Sequence, residues 1–171
     1  MRRVLLSSLL LLATLTVSPA GAQRLDLPML TAEQRWDRAS KQVTLFAVMF
    51  VREGMKAGKP AVEIGRELAG FFGPWSGVVT PADMARTIHR NWQLWRDVEF
   101  VATEAPDSSI TVTANRPYVA AIQQYNLIGV TPADFDAMFG SFHQTIARQQ
   151  GLDFRQSVDS TSVRMTIRRT K

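Results

Sequence analysis

His89 and His143 are the two imidazoles this chain offers for general base or metal chemistry, and each stands beside an apolar stripe: His89 between Ile88 and Trp92, His143 next to Phe142. With a carboxylate such as Glu63 or Glu67 they would make a two-histidine, one-carboxylate set. A His-Glu-x-x-His or similar local spacing is missing, so structural or surface histidines are expected instead. No serine sits in Gly-x-Ser-x-Gly, and Gly65, Gly70, Gly73 and Gly77 match neither a phosphate loop nor a dinucleotide turn. The chain has no cysteine, which removes thiol nucleophiles, disulfides, iron–sulfur clusters and cysteine-based zinc sites. Glu63, Glu67, Asp83, Asp97 and Glu99 read as solvated charge, and no metal or cofactor is implied.

Binding chemistry is better supplied. Trp75, Trp92, Trp95, Phe71, Phe72 and Tyr118 fall close together in the order of elements, and aromatics at helical spacing bury against a sheet more often than they line a pocket. Where they do line one, the residues that would hold a small apolar or anionic ligand are Trp75, His89, Trp92, Arg116, Tyr118 and His143. A rival enzyme reading places Asn115, Arg116, Tyr118 and a histidine in a cleft beside the 98–118 hairpin; convergence of those groups in one concave site is its discriminating observation. Arg155, Arg164, Arg168, Arg169 and Lys171 give the end of the chain a basic face. That face suits either a structural envelope protein or, more simply, a strand edge guarded by charge.

Helix punctuation fixes what must position these groups. Thr31-Ala-Glu-Gln34, Thr80-Pro-Ala-Asp83 and Thr131-Pro-Ala-Asp134 each place a hydroxyl where it can accept from the third backbone N–H beyond it, with proline at the first helical position in the last two. The first helix is expected over 32–57, closed by Gly58, with Trp36, Ala39, Val43, Phe46, Ala47, Phe50 and Val51 at helical spacing and its middle buried on most sides. A second starts at Pro60 and buries Val62, Ile64, Leu68, Phe71 and Phe72 before Gly73-Pro74. The third runs from Pro81 to about Arg96 on a stripe of Met84, Ile88, Trp92 and Trp95.

The period then changes to two. Val98, Phe100 and Ala102, a turn at 105–109, then Ile110, Val112 and Ala114 make a hairpin. A short helix over 117–126 and a long one over 132–150 follow, the latter with Phe135, Met138, Phe139, Phe142 and Ile146 inward and Gly151 as its stop. Leu152, Phe154, Gln156 and Val158 pair across Asp159-Ser-Thr161 with Val163, Met165 and Ile167 in a second hairpin. Neither hairpin can bury its apolar face alone. The expectation is therefore an α+β fold, a four-stranded antiparallel sheet of two hairpins with helices on one face, and Arg155, Arg164, Thr166 and Arg168 on the other.

Residues 1–22 carry Arg2 and Arg3, an apolar run from Val4 to Val17, Ser18-Pro19 and the small triplet Ala20-Gly21-Ala22, the pattern of a bacterial export signal cleaved after Ala22. The run is about 14 residues, short of the roughly 20 that span a bilayer as a helix, so no transmembrane anchor is expected. The domain organisation expected is leader 1–22, arm 23–31 and one domain over 32–171, in a periplasmic or secreted protein. Composition agrees with a single globular core, at 46% hydrophobic and 20% charged among 171 residues. Losing Arg2 and Arg3 lowers the formal charge from +5 to +3, too mild for a nucleic-acid partner. Oligomeric state is not legible in the sequence.

The C-terminal half resembles the family described as 2-aminothiazoline-4-carboxylate hydrolase-like, itself similar in layout to small ligand-binding domains of the vinyl-reductase type. The resemblance covers about 60 residues and lies in Val112-Thr-Ala-Asn-Arg-Pro-Tyr118, Tyr125-Asn-Leu-Ile-Gly129, Gly151-Leu-Asp-Phe-Arg155 and Val163-Arg-Met-Thr-Ile-Arg168. It implies the α+β layout. The family's cysteines near the strand exit and in the last strand are replaced by the neighbourhoods of Asn115, Arg116 and Met165, so no catalytic residue carries over. The functional expectation is an exported, non-catalytic domain that binds a small molecule or a protein partner, with the hydrolase-like enzyme and the basic-faced envelope protein as alternatives.

Overall fold

The computed structural model describes residues 29–104, 109–124 and 129–170. Residues 1–22, read above as an export leader, most of the arm, the turn at 105–108, the end of the expected 117–126 helix with Tyr125, and Lys171 of the basic face lie outside them. The elements run α1 (Ala32–Lys56), α2 (Ala61–Phe72), α3 (Pro81–Trp92), β1 (Phe100–Glu104), β2 (Ile110–Asn115), α4 (Tyr118–Gln124), α5 (Pro132–Gln149), β3 (Leu152–Val158) and β4 (Ser162–Arg169). Each expected threonine closes a capping box: Thr31 with Gln34, Thr80 with Asp83 and Thr131 with Asp134. At Asp83, the Thr80 hydroxyl, then Arg86, lowers the carboxyl to about 2, so the cap stays ionised at any physiological pH.

The two hairpins join in one antiparallel sheet of order β1-β2-β4-β3. This is the α+β architecture that the sequence predicts. Ile110, Val112, Ala114, Val163, Met165, Ile167, Leu152 and Phe154 form the buried face, because side chains two apart on a strand share a side. The other face carries the expected arginines. Asp153, across from Arg168 and bonded to it at 2.8 Å, also lies 3.3 Å from Arg155, so part of the basic face is neutralised by a carboxylate.

Helices α2 and α5 cross closely because Gly65 has no side chain: a Cβ there would lie 2.1 Å from the Met138 carbonyl oxygen. Ser141 Oγ donates to the Val62 carbonyl at 2.6 Å along the same seam. One apolar core then runs from Val48 and Val51 of α1 through Ile64, Met84, Ile88 and Trp92 to the sheet.

Three expectations are corrected. The middle of α1 is not buried on most sides: Ser40, Thr44, Val48 and Val51 face the body, while Trp36, Val43, Phe46 and Phe50 are exposed. An apolar run with apolar residues all round gives no signal as to which side is covered. Thr44 wins burial because its hydroxyl has partners, accepting from Trp95 Nε1 at 2.8 Å and donating to the Ser40 carbonyl at 2.9 Å. In α2, Ile64 is buried as expected, but Val62, Phe71 and Phe72 are exposed, since the side set against α5 is the small one of Ala61, Gly65 and Ala69. Helix α3 ends at Trp92 rather than near Arg96, with Trp95 entering the core from the turn that follows.

Candidate functional site

The six candidate ligand-binding residues fall in four settings, of which the first three adjoin one another through Tyr118, Asp136 and Phe139. Trp92 and Tyr118 belong to an aromatic core with Trp95, Phe135 and Phe139, whose rings meet edge-on or tilted at centroid distances between 4.8 and 6.3 Å. On the far side of Phe139, His143 stacks against that ring at 5.8 Å and touches Trp75 at 5.9 Å. His143 is fully buried, and burial pushes its imidazole down to about 4 despite an opposing contribution from the Phe139 backbone, so the ring is neutral. Among the described residues, neither His143 Nδ1 nor Trp92 Nε1 has a well-formed hydrogen bond.

Arg116 leaves the end of β2 and meets Asp136, a buried acid of α5 that sequence reasoning passed over. Arg116 donates through Nη2 to Asp136 Oδ2 and through Nε to Oδ1 at 3.3 Å, and the Tyr118 hydroxyl also donates to Oδ1. Arg116 Nη1 reaches on to the Asp159 carbonyl at 2.9 Å in the β3–β4 turn, and Gln156 Nε2 donates to the Asp136 carbonyl at 3.0 Å. Burial opposes the charge on Arg116, but Tyr118 and Asp136 outweigh it and raise its pKa; burial, then Asp136, pushes the Tyr118 phenol well above its ordinary range. The result is a closed network that ties the exit of β2, α4, α5 and the last turn together. Asn115 is likewise spent on backbone, accepting from Glu99 N at 2.9 Å and donating to the Asp97 carbonyl at 2.7 Å. The convergence of these groups with a histidine in one concave site does not occur.

Of the six, His89 lines a groove. It lies between α3 and the β1–β2 hairpin, encloses about 380 Å³, and is lined by Ala82, Ala85, Arg86 and His89 on the helix and by Phe100, Ala102 and Ile110 on the strands. The space exists because the helix presents small residues where it passes over the hairpin. The His89 ring tilts at 38° against Phe100 with centroids 4.8 Å apart, and its Nε2 lies 3.4 Å from Gln93 Nε2. Arg86, one turn earlier, is largely exposed and is held by Asp83 at 2.7 Å. The groove thus has an aromatic and aliphatic floor with a guanidinium and an imidazole on one rim, suited to an apolar body carrying an anionic or hydrogen-bonding head. Its alanines give no sequence signal, since a small apolar residue on a helix or strand reads the same whether a neighbour or a groove lies over it.

Among the described residues, no group of three or more His, Asp or Glu side chains is placed to hold a metal ion, and no helix is long and apolar enough to cross a membrane. No family model matches the chain, and no curated protein matches it.

Proposed function

We propose that this is an exported, non-catalytic domain that binds a small amphipathic anion in the groove between α3 and the β1–β2 hairpin. The observation that carries the reading is the groove itself: an apolar floor of Phe100, Ala82 and Ala102 beneath Arg86 and His89. Export rests on the leader pattern of residues 1–22. Binding is favoured over hydrolysis because Arg116 and Tyr118 are engaged by Asp136, Asn115 is engaged by the backbone, and none of the three lines the groove. Among the described residues the polar partner of the His89 ring is Gln93 rather than a carboxylate, which suits His89 to hydrogen-bond a ligand. The faint similarity to the 2-aminothiazoline-4-carboxylate hydrolase-like family is consistent with a small-molecule site on an α+β frame, without its thiol chemistry.

The experiment uses 8-anilinonaphthalene-1-sulfonate, an aromatic body with an anionic head, as the probe. Ala102 is exposed on β1, so Ala102→Trp fills the groove without disturbing the core. The native protein is expected to bind the probe, His89→Ala to bind it several-fold more weakly, and Ala102→Trp to lose that binding while melting at an unchanged temperature. Native mass spectrometry of protein purified from an exporting host then identifies any resident ligand, and the denatured mass locates the N-terminus. Equal probe binding by all three proteins overturns the reading.

A further inference from the structure

Strand β1 is an outer strand of the sheet, and its two edges are used differently. Asn115 N–H donates to the Glu99 carbonyl at 3.2 Å, so these two residues are a hydrogen-bonded pair of the antiparallel ladder. Such pairs alternate along a ladder with pairs whose backbone groups point away from each other. With Phe100 across from Ala114 and Ala102 across from Val112, it follows that Val101 and Thr103 bond to β2 while the N–H and C=O of Phe100 and Ala102 face outwards. Among the described residues nothing pairs with that outer edge. The same two residues, Phe100 and Ala102, also line the groove beneath α3.

The opposite outer strand, β3, carries Asp153 and Arg155, the kind of charge that keeps an edge from pairing. β1 has no charge over Phe100-Val-Ala-Thr103, and its Val101 is 65% exposed. Helix α3 packs mainly on β2 and β4, so β1 projects beyond it and Ala102 is exposed. What complements a row of outward N–H and C=O groups is the backbone of another extended chain, and alternate side chains of that chain fall on one face of the sheet. A residue paired with Ala102 puts its side chain on the groove side, where Ala82, Ala85 and Ala102 leave room. A residue paired with Phe100 brings its side chain to the end where the His89 ring lies against Phe100. Arg86, one turn from His89, is bonded to Asp83 through Nη2, and its Nε and Nη1 have no partner among the described residues.

We propose that the amphipathic anion is a stretch of polypeptide, an extended segment of a partner protein that adds to the open edge of β1 as an antiparallel strand. Antiparallel pairing is the more stable arrangement and fixes the order of the side chains as apolar-x-acidic. The apolar residue pairs with Ala102 and fills the groove; the acidic one, two further on, pairs with Phe100 and meets His89 and Arg86. The inference rests on the reading of the groove as a ligand site and adds to it the backbone bonds and the order of the two side chains.

The probe is the capped peptide acetyl-Thr-Thr-Phe-Thr-Glu-Thr-amide, titrated calorimetrically into the purified chain, its N-terminus read by intact mass. Binding is expected with a Kd below about 100 µM. Methylating the amide nitrogen of the peptide's phenylalanine, which donates to the Ala102 carbonyl, is expected to weaken binding about tenfold or more, and methylating that of the threonine after it, which faces away from β1, to leave binding unchanged. The peptide with phenylalanine and glutamate exchanged is expected to bind more weakly. Methylations that act equally, or an exchanged peptide that binds as tightly, overturn the proposal. A chain that binds 8-anilinonaphthalene-1-sulfonate in the groove but not the peptide overturns it and leaves the small-anion reading standing, whereas a chain that binds neither overturns both. A dimer in sedimentation equilibrium that the peptide dissociates also overturns it, and assigns the edge to β1 of a second copy.

Discussion

The closed contact between Arg116, Asp136 and Tyr118 is the main buried polar commitment seen in the described residues, and its members differ in what their loss leaves behind. Asp136→Asn leaves a guanidinium that is nine-tenths buried with its Asp159 carbonyl but without its counter-charge, and such a loss costs about 3–5 kcal/mol. Tyr118→Phe removes one donor while both Arg116 contacts to the carboxylate persist, at a cost of about 1–2 kcal/mol. Urea unfolding should rank the two in that order, and equal costs would refute the account of Arg116 as a buried charge that needs Asp136. His143 adds a pH dependence of its own. Its imidazole titrates near 6.5 when unfolded and at about 4 when folded, so between those values the unfolded chain takes up a proton that the folded chain refuses. Its contribution is complete above pH 6.5 and is lost as pH falls towards 4, a total on the order of 3 kcal/mol. His143→Phe, whose ring can keep the stack on Phe139, should flatten the stability profile between pH 6.5 and 4. The depressed carboxyls of Asp83 and Asp159 act only below that window, so the difference between the two proteins isolates the histidine.

Helix α2 is set against α5 by what one residue lacks. At Gly65 an added Cβ would meet the backbone carbonyl of Met138, which cannot swing away, whereas nothing lies within 4 Å of a Cβ built at Gly70. Gly65→Ala should therefore destabilise by about 3 kcal/mol through overpacking, and Gly70→Ala should stabilise by up to about 1 kcal/mol through helix propensity. Thermal melts of the pair check the claim, and a neutral Gly65→Ala would mean that the helices can part without cost. At this scale much was legible in the sequence. The threonine caps, the switch of period after α3 and the Gly151 stop all depend on chemistry within four residues, and each stands where it was expected. What failed to be legible depends on partners far along the chain. Thr44 is buried for Trp95, 51 residues away, and Asp136 for Arg116, 20 residues away, while an isolated helix reading treats one as a polar interruption and the other as a surface acid.

Across the whole molecule the same distance problem decides what could be read of the site. Of the aromatic residues expected together, Trp92, Trp95 and Tyr118 do meet while Phe71 and Phe72 stand exposed on α2, and whether rings enclose a space or fill it depends on which neighbour is small. Phe139 fills the gap between Tyr118, Trp92 and His143, and the open space lies instead over Ala82, Ala85 and Ala102. One continuous core reaches from Val48 in α1 to Ile167 in β4, and α1 is attached to it through a narrow strip whose buried polar anchor is the Trp95 indole on Thr44, with Trp36 on the Leu94 carbonyl and Glu33 on Arg96 as exposed ones. That attachment makes Trp95, together with Trp36 on α1 itself, a reporter of α1 docking within the chain's tryptophan emission, while far-UV dichroism reports helix content as a whole. If the core holds α1 as an integral element, fluorescence and dichroism will trace the same transition in urea, because the helix cannot leave without exposing Val48 and Val51 and breaking a buried bond. Thr44→Val, which keeps the shape but strands the indole N–H, should lower the midpoint of both signals together. Fluorescence that changes at lower urea than dichroism would mean that α1 undocks by itself, and the domain would then be a four-helix body over the sheet with a detachable first helix.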